Sequence, residues 1–179
     1  MIKTLVYFVQ SFVVYFFYFV GKLLGLNLSR KLFSTIFLIL GPLFKSNKII
    51  DTNLNTFNAN LTKQEKNKII SNMWNNFGKT FIEYIFLGYF KKNNKHIQII
   101  GEKHLESIIE TNRPAIFISG HFANFELMSM EITKKNIKLA TIYRPLNNFF
   151  LNPFMEFLRE KYVCKNQIKK GIKGVREAI

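Results

Sequence analysis

The stretch Ala115-Ile116-Phe117-Ile118-Ser119-Gly120-His121-Phe122-Ala123-Asn124-Phe125-Glu126 decides how the rest of the chain reads. After the break at Arg113-Pro114, Ala115 to Ser119 is the near-continuous apolar run that a parallel strand buried on both faces presents. A helix is expected from about Asn124 to Lys134, then a strand over Leu139 to Tyr143 that leads to Pro145. Strand, helix and strand in that order predict an α/β fold around a mostly parallel sheet flanked by helices.

Upstream, Ile97 to Ile100 reads as a short strand and Glu102 to Glu110 as a helix. Downstream, a helix starts near Asn152-Pro153 with proline in its first turn, and a last helical pattern runs from Ile168 to Ile179. Three strands are too few to close a covered sheet, so residues 95–179 read as an incomplete α/β domain, with further strands and helices expected downstream.

The N-terminal side is different in kind. Its first 44 residues carry four basic side chains (Lys3, Lys22, Arg30, Lys31) and no acid. Leu5 to Val20 is apolar except for Gln10 and Ser11, and as helix it would span about 24 Å, short of a hydrocarbon core of about 30 Å. Leu23, Leu24 and Leu26 extend it. The run lacks a small-x-small cleavage site, which favours a retained anchor over a signal peptide. Spanning the bilayer and lying in its interface both remain open.

A second apolar stretch, Leu32 to Phe44, is too short to span and is expected to pack on the anchor or dip into the interface, so residues 1–44 form an anchor region. Residues 45–94 follow as connector and helical segment. Ser46 to Asn60 is Asn-rich and reads as the connector. Thr62 and Glu65 make a capping box for a helix whose apolar face carries Ile69, Ile70, Met73, Trp74, Phe77, Phe81 and Ile85.

Composition narrows the partners. A chain that is 48% hydrophobic, with 20 Phe and a net charge of +15, suits an anionic bilayer, which takes basic side chains at its head groups and apolar ones below. Compositional drift in an A/T-rich genome is the bland reading of the same charge. Nucleic acid fits poorly, because the basic residues are scattered and no nucleic-acid-binding motif is present. One cysteine, Cys164, excludes an intramolecular disulfide and reads as a small buried residue. No Cys or His has metal-ligand spacing, so neither metal nor cofactor is expected.

His121 and Glu126 carry the chemistry. Imidazole is suited to take a hydroxyl proton near neutral pH, and a carboxylate on its other nitrogen fixes the tautomer. Five positions on a regular helix separate two side chains by about 140° and about 7.5 Å, so the pair cannot meet within one helix. His121 is therefore expected in the strand-to-helix turn, its ring folded over Glu126, with Gly120 easing the turn. Spacing alone equally permits a structural histidine. His96 and His104 lie in charged, polar surroundings and are expected to be solvated.

Together with Tyr143-Arg144-Pro145-Leu146-Asn147-Asn148, the segment Gly120 to Glu126 resembles the bacterial lipid A late acyltransferases, the lauroyl and myristoyl transferases. These belong to the lysophospholipid acyltransferase superfamily, whose hallmark is His-x4-Asp or His-x4-Glu. The similarity extends through the anchor, the connector with Leu54 and Phe57, the Trp74–Glu83 helix and the α/β start.

The resemblance implies His121 as catalytic base and Glu126 as its orienting partner. It implies Arg144 and Arg159 as substrate-binding groups for a phosphate of the lipid acceptor or of the donor's phosphopantetheine. The bland reading of Arg159 is a solvated helix residue paired with Glu156 or Glu160. Asn124 also belongs to the motif, as a substrate-side residue or a helix cap. The family continues further, with an Asp-Gln motif on a later strand that has no counterpart here.

Acyl carrier protein as donor, a Kdo-bearing lipid A precursor as acceptor and the cytoplasmic face of the inner membrane are implied in the same way. Two rivals stand beside this: a superfamily member acting on another glycolipid or lysophospholipid, and a non-catalytic membrane-associated basic protein.

Overall fold

Helix α1 (Ile2–Phe44) is interrupted at Gly25, whose φ of 74° and ψ of 171° lie outside helical geometry and in a region that favours glycine. In this computed structural model, which describes residues 2–44 and 46–178, the chain doubles back at that residue. Phe17 and Phe33 stack at 5.4 Å between ring centroids, whereas sixteen residues of unbroken helix would part them by about 24 Å. The Ser29 hydroxyl, fully buried, donates to the Gly21 carbonyl at 2.7 Å across the bend. By length and composition α1 suffices to cross a membrane.

The chain divides into two units: Phe17–Tyr84, and the residues up to Phe16 together with those from Ile85 onward. In the first, the segment expected as a connector is mostly helix α2 (Asn47–Phe57). Ile50 is buried and Leu54 half-buried on one face at i and i+4, which gives this polar stretch its reason to fold.

Helix α3 (Lys63–Glu83) opens with the expected capping box. The Glu65 amide donates to Thr62 Oγ1 at 3.3 Å, and the Thr62 amide to Glu65 Oε2 at 2.8 Å. Phe81 meets the rings of Tyr18, Phe33 and Phe37 at 5.1, 5.8 and 5.4 Å.

The buried seam of α3 is Trp74, Gly78 and Ile82, narrower than the expected stripe, and Ile69 and Phe77 are exposed. Close approach explains the shift. A Cβ on Gly78 would lie 2.2 Å from the Phe33 carbonyl oxygen, so the backbones touch there and bulkier neighbours move to the rim. Arg30 Nε donates to Glu83 Oε1 at 2.7 Å.

The second unit holds the sheet. Strand β1 (Ala140–Tyr143) pairs in parallel with β2 (Asn166–Lys169), from Ala140 opposite Asn166 to Tyr143 opposite Lys169. Helices α4 (Leu87–Lys92), α5 (Lys103–Thr111) and α6 (Glu126–Lys134) precede β1, and the crossover helix α7 (Asn152–Tyr162) runs between the two strands. Helix α8 (Ile172–Ala178) follows β2. Leu87 and Phe90 of α4, Met130 and Ile132 of α6, Leu158 of α7 and Val163 make the core, burial that supplies most of the driving force. Thr133 Oγ1 donates to the Val163 carbonyl at 2.7 Å, joining α6 to the end of α7.

The α/β class is present with parallel pairing, but two expected strands are not. Ile97 to Ile100 lies outside any strand, with Ile100 88% exposed. Ala115 to Ser119 is unpaired, with Ile116 and Ile118 exposed. An apolar run becomes a buried strand only if neighbours cover its edges and faces, and among the described residues β1 and β2 form the sheet. β2 lies partly where the sequence reads as helix. His96 is half-buried rather than solvated, its ring 4.5 Å from that of Phe90.

Candidate active site

The turn before α6 is built from Gly120 to Phe125. Its left-handed residue is Ala123, at φ 48°, rather than Gly120. Gly120 serves differently: the Phe122 amide donates to its carbonyl at 2.9 Å, and a Cβ there would lie 2.5 Å from the Phe122 ring. The Phe125 amide donates to the Ala123 carbonyl at 3.2 Å, closing the turn onto the helix start at Glu126.

His121 lies ahead of that helix and is exposed. Its ring stacks on Phe125, with centroids 4.0 Å apart and planes 15° from parallel. Glu126 is buried in the first turn of α6, where the helix dipole favours a carboxylate. Its Oε1 accepts from Arg159 Nε at 2.7 Å, and the Arg159 side chain is only 14% exposed. Arg159 is thus not a solvated helix residue, and it is ion-paired to Glu126. It reaches across from α7 to the start of α6, and a charge-assisted bond of this kind is stronger than a neutral one.

Behind the arginine stands a second polar contact. The Arg159 guanidinium lies 5.7 Å from the centre of the Tyr143 ring at the end of β1. The Tyr143 hydroxyl donates to Glu156, which also pairs with Lys169 Nζ at 3.1 Å. Burial, then the hydrogen bond to Glu156, pushes the Tyr143 phenol well above its ordinary range. The Tyr143 hydroxyl is in turn the main cause holding the Glu156 carboxyl below its ordinary value.

His121, Glu126, Arg144 and Arg159 all line one open cavity of 1140 Å³ that runs along the whole of β1, from Leu139 to Arg144. Ile116, Met128, Ile132 and Ile142 give it apolar wall as well. Arg144 directly follows the carboxyl end of β1, the edge at which ligands bind in open α/β sheets. Asn124 is not on this wall. It is buried, its carbonyl accepts from the Leu127 amide at 3.2 Å, and the cap position of α6 is Phe125, without a side-chain cap bond. Cys164 is buried and its thiol bonds the Leu139 carbonyl at 2.8 Å, with burial raising its pKa, so it belongs to the packing.

Two polar contacts carry no signal in the sequence, those of Tyr143 on the cavity wall and those of Asn148 outside it. Tyr143 and Asn148 both lie in the quoted Tyr143–Asn148 motif, but their partners are distant in the chain. Asn148 is buried and accepts from the Ser11 hydroxyl at 3.0 Å, 137 positions away.

A family model described as bacterial lipid A biosynthesis acyltransferase matches residues 1–179. No curated protein and no solved structure matches the chain.

Proposed function

Because the chain belongs to the bacterial lipid A biosynthesis acyltransferase family, we propose that it moves a fatty acyl group from acyl carrier protein to a hydroxyl of a Kdo-bearing lipid A precursor. The observation that carries the reading is the convergence of His121, Glu126, Arg144 and Arg159 on one cavity. In this mechanism His121 takes the proton of the acceptor hydroxyl as its oxygen attacks the thioester carbonyl, and the carrier's thiolate leaves. Glu126 accepts the other imidazole N–H and stabilises the imidazolium. A carboxylate accepts at two oxygens, so the Arg159 bond to Oε1 is compatible with that task.

Arg144, exposed at the end of β1, is the group placed to meet a phosphate of either substrate. Arg159 then serves Glu126 first, and its share in binding substrate is through the edge of the guanidinium that faces the cavity. The apolar wall suits an acyl chain. The N-terminal helix seats the enzyme on the inner membrane, with the catalytic residues on the cytoplasmic face, where the acidic carrier meets a strongly basic surface.

The test is His121→Ala with labelled acyl carrier protein and the lipid A precursor. Transfer should fall by roughly 10²–10⁴-fold with the melting profile unchanged. Near wild-type transfer would falsify the general-base role. A lysophospholipid offered in competition decides the acceptor: preferential acylation of it transfers the same chemistry to the other acceptor class.

A further inference from the structure

We infer that the loop from Leu146 to Leu151 is a second membrane-seated element, held against the N-terminal helix so that the rim of the cavity rests at the head-group boundary of the bilayer. The inference rests on the reading of α1 as the membrane anchor. It begins with charge. In a chain with 26 Lys and Arg, no charged residue occurs from Thr4 to Gly21 or from Pro145 to Met155. These two uncharged stretches meet. Phe149 packs edge-on against Tyr7, Phe150 against Phe8 and Phe154 against Tyr15, with centroids 5.6–5.8 Å apart.

The contact leaves most of this surface uncovered. Phe149 is 53% exposed, Phe8 56% and Phe12 67%. A soluble loop would turn such rings inward and its polar groups outward, and here the reverse holds. Asn148, the polar side chain at the centre, is buried. Its Nδ2 donates to the Tyr7 carbonyl at 2.9 Å, while its Oδ1 accepts from Ser11 at 3.0 Å and from the Phe150 amide at 3.1 Å.

The Tyr15 hydroxyl donates to the Phe150 carbonyl at 2.9 Å, and the Leu146 amide donates to Asn152 Oδ1 at 2.8 Å. Irregular backbone at membrane depth requires this internal satisfaction, because lipid offers no partners. Asn147, exposed at the edge, suits the head-group layer.

Depth follows from the helix. Tyr7 and Phe8 lie four and five residues beyond Lys3, so about 6–8 Å along the axis from the charge that marks the head groups. Phe149 and Phe150 are carried to that level, the depth to which interfacial apolar faces sink. Arg144 lies two residues before the loop and so stands at the bilayer surface, where a lipid acceptor can reach the cavity without leaving the membrane.

The test uses the unmodified protein in phosphatidylethanolamine vesicles containing a phospholipid with a photoactivatable diazirine near the head-group end of its acyl chain. After irradiation and proteolysis, label is expected in the first turns of α1 and in Leu146–Leu151. It should be at least about fivefold weaker on Ile116 and Ile118, which are apolar and exposed but lie outside this surface.

Label on α1 without label on the loop overturns the inference and leaves the anchor standing. Label on neither removes the anchor reading and the inference with it. Equal label on Ile116 and Ile118 overturns it as non-specific. In Asn148→Ala the loop label should drop about threefold while the α1 label is kept, and an unchanged loop label would show that Asn148 is not the clamp.

Discussion

Each unit contains an arginine whose Nε donates to a glutamate Oε1 at 2.7 Å, and in each the glutamate side chain is 8% exposed. Arg30 with Glu83 braces the doubled helix against α3, while Arg159 with Glu126 ties α7 to the first turn of α6. The pairs differ in their surroundings. Arg30 is 30% exposed and has water to fall back on, whereas Arg159 is 14% exposed, and its pair lies on a cavity wall beside His121. The same pair distance can therefore serve as a brace in one place and, in the function proposed above, as part of a reaction centre in another, and the neighbours decide which.

The largest effects should come from breaking the pairs in parallel. Removing one partner of a buried ion pair strands the other and costs about 3–5 kcal/mol, so Glu126→Ala should lower stability by about that much. Glu83→Ala should cost less, about 1–3 kcal/mol, because the more exposed Arg30 regains water. Denaturant unfolding of both variants measures this. Acyl transfer per folded molecule separates them further: a loss of roughly 10³-fold in Glu126→Ala, and little change in Glu83→Ala. If both lose transfer equally, the contrast between brace and reaction centre is wrong.

Two glycines sharpen the same contrast. A methyl on Gly78 would strike the Phe33 backbone at 2.2 Å, which cannot move aside without opening the helical seam, so Gly78→Ala should cost about 1–3 kcal/mol. A methyl on Gly120 would first meet the ring of Phe122, 85% exposed and able to swing away, so Gly120→Ala should stay within about 0.5 kcal/mol. Thermal melts of the two variants should therefore diverge, and a large cost at Gly120 would mean that the turn before α6 is as tightly fitted as the seam of α3.

Local chemistry was legible and distant pairing was not. The Thr62–Glu65 capping box, the proline-started α7 and β1 follow from residues within a few positions of one another. So does the placement of His121 ahead of α6. β2 is Asn166-Gln167-Ile168-Lys169, four mostly polar residues whose strand character comes from pairing with β1, and no local pattern announces it. Ala115 to Ser119 erred in the opposite direction, because apolar continuity states a preference for burial and says nothing of whether a partner is there. The Arg159–Glu126 bond joins residues 33 apart and the Ser11–Asn148 bond residues 137 apart. Long-range polar contacts of that sort depend on the fold being formed first.

Acid should test the support behind Arg159. The Glu156 carboxyl is held below its ordinary value chiefly by the Tyr143 hydroxyl. A depressed carboxylate contributes stability that is fully present above its unfolded value, near 4.3, and is lost as pH falls through the folded value. Stability of the wild type should thus decline as pH drops below about 4.3, and Glu156→Gln should flatten that part of the profile. Chemical denaturation across this range checks it, and a profile unchanged by the substitution would detach Glu156 from the pH response.

The smallest expected effects have opposite signs. Gly25, at φ 74° and ψ 171° in the bend of the doubled helix, lies in a region essentially restricted to glycine, and Ala123, at φ 48° in the turn that presents His121, has the positive φ of the left-handed region. An alanine costs about 1–2 kcal/mol in the left-handed region and about 1–3 kcal/mol in that of Gly25, offset by about 0.4–1 kcal/mol for its stiffer unfolded chain. Gly25→Ala, with open space around it, should lose about 0.5–2 kcal/mol, and Ala123→Gly should gain about 0.5–1 kcal/mol. Melting curves give both signs. The informative measurement is acyl transfer by Ala123→Gly: a more stable but slower enzyme would mean that the strain holds His121 in place, whereas equal transfer would make Ala123 a tolerated cost of the turn.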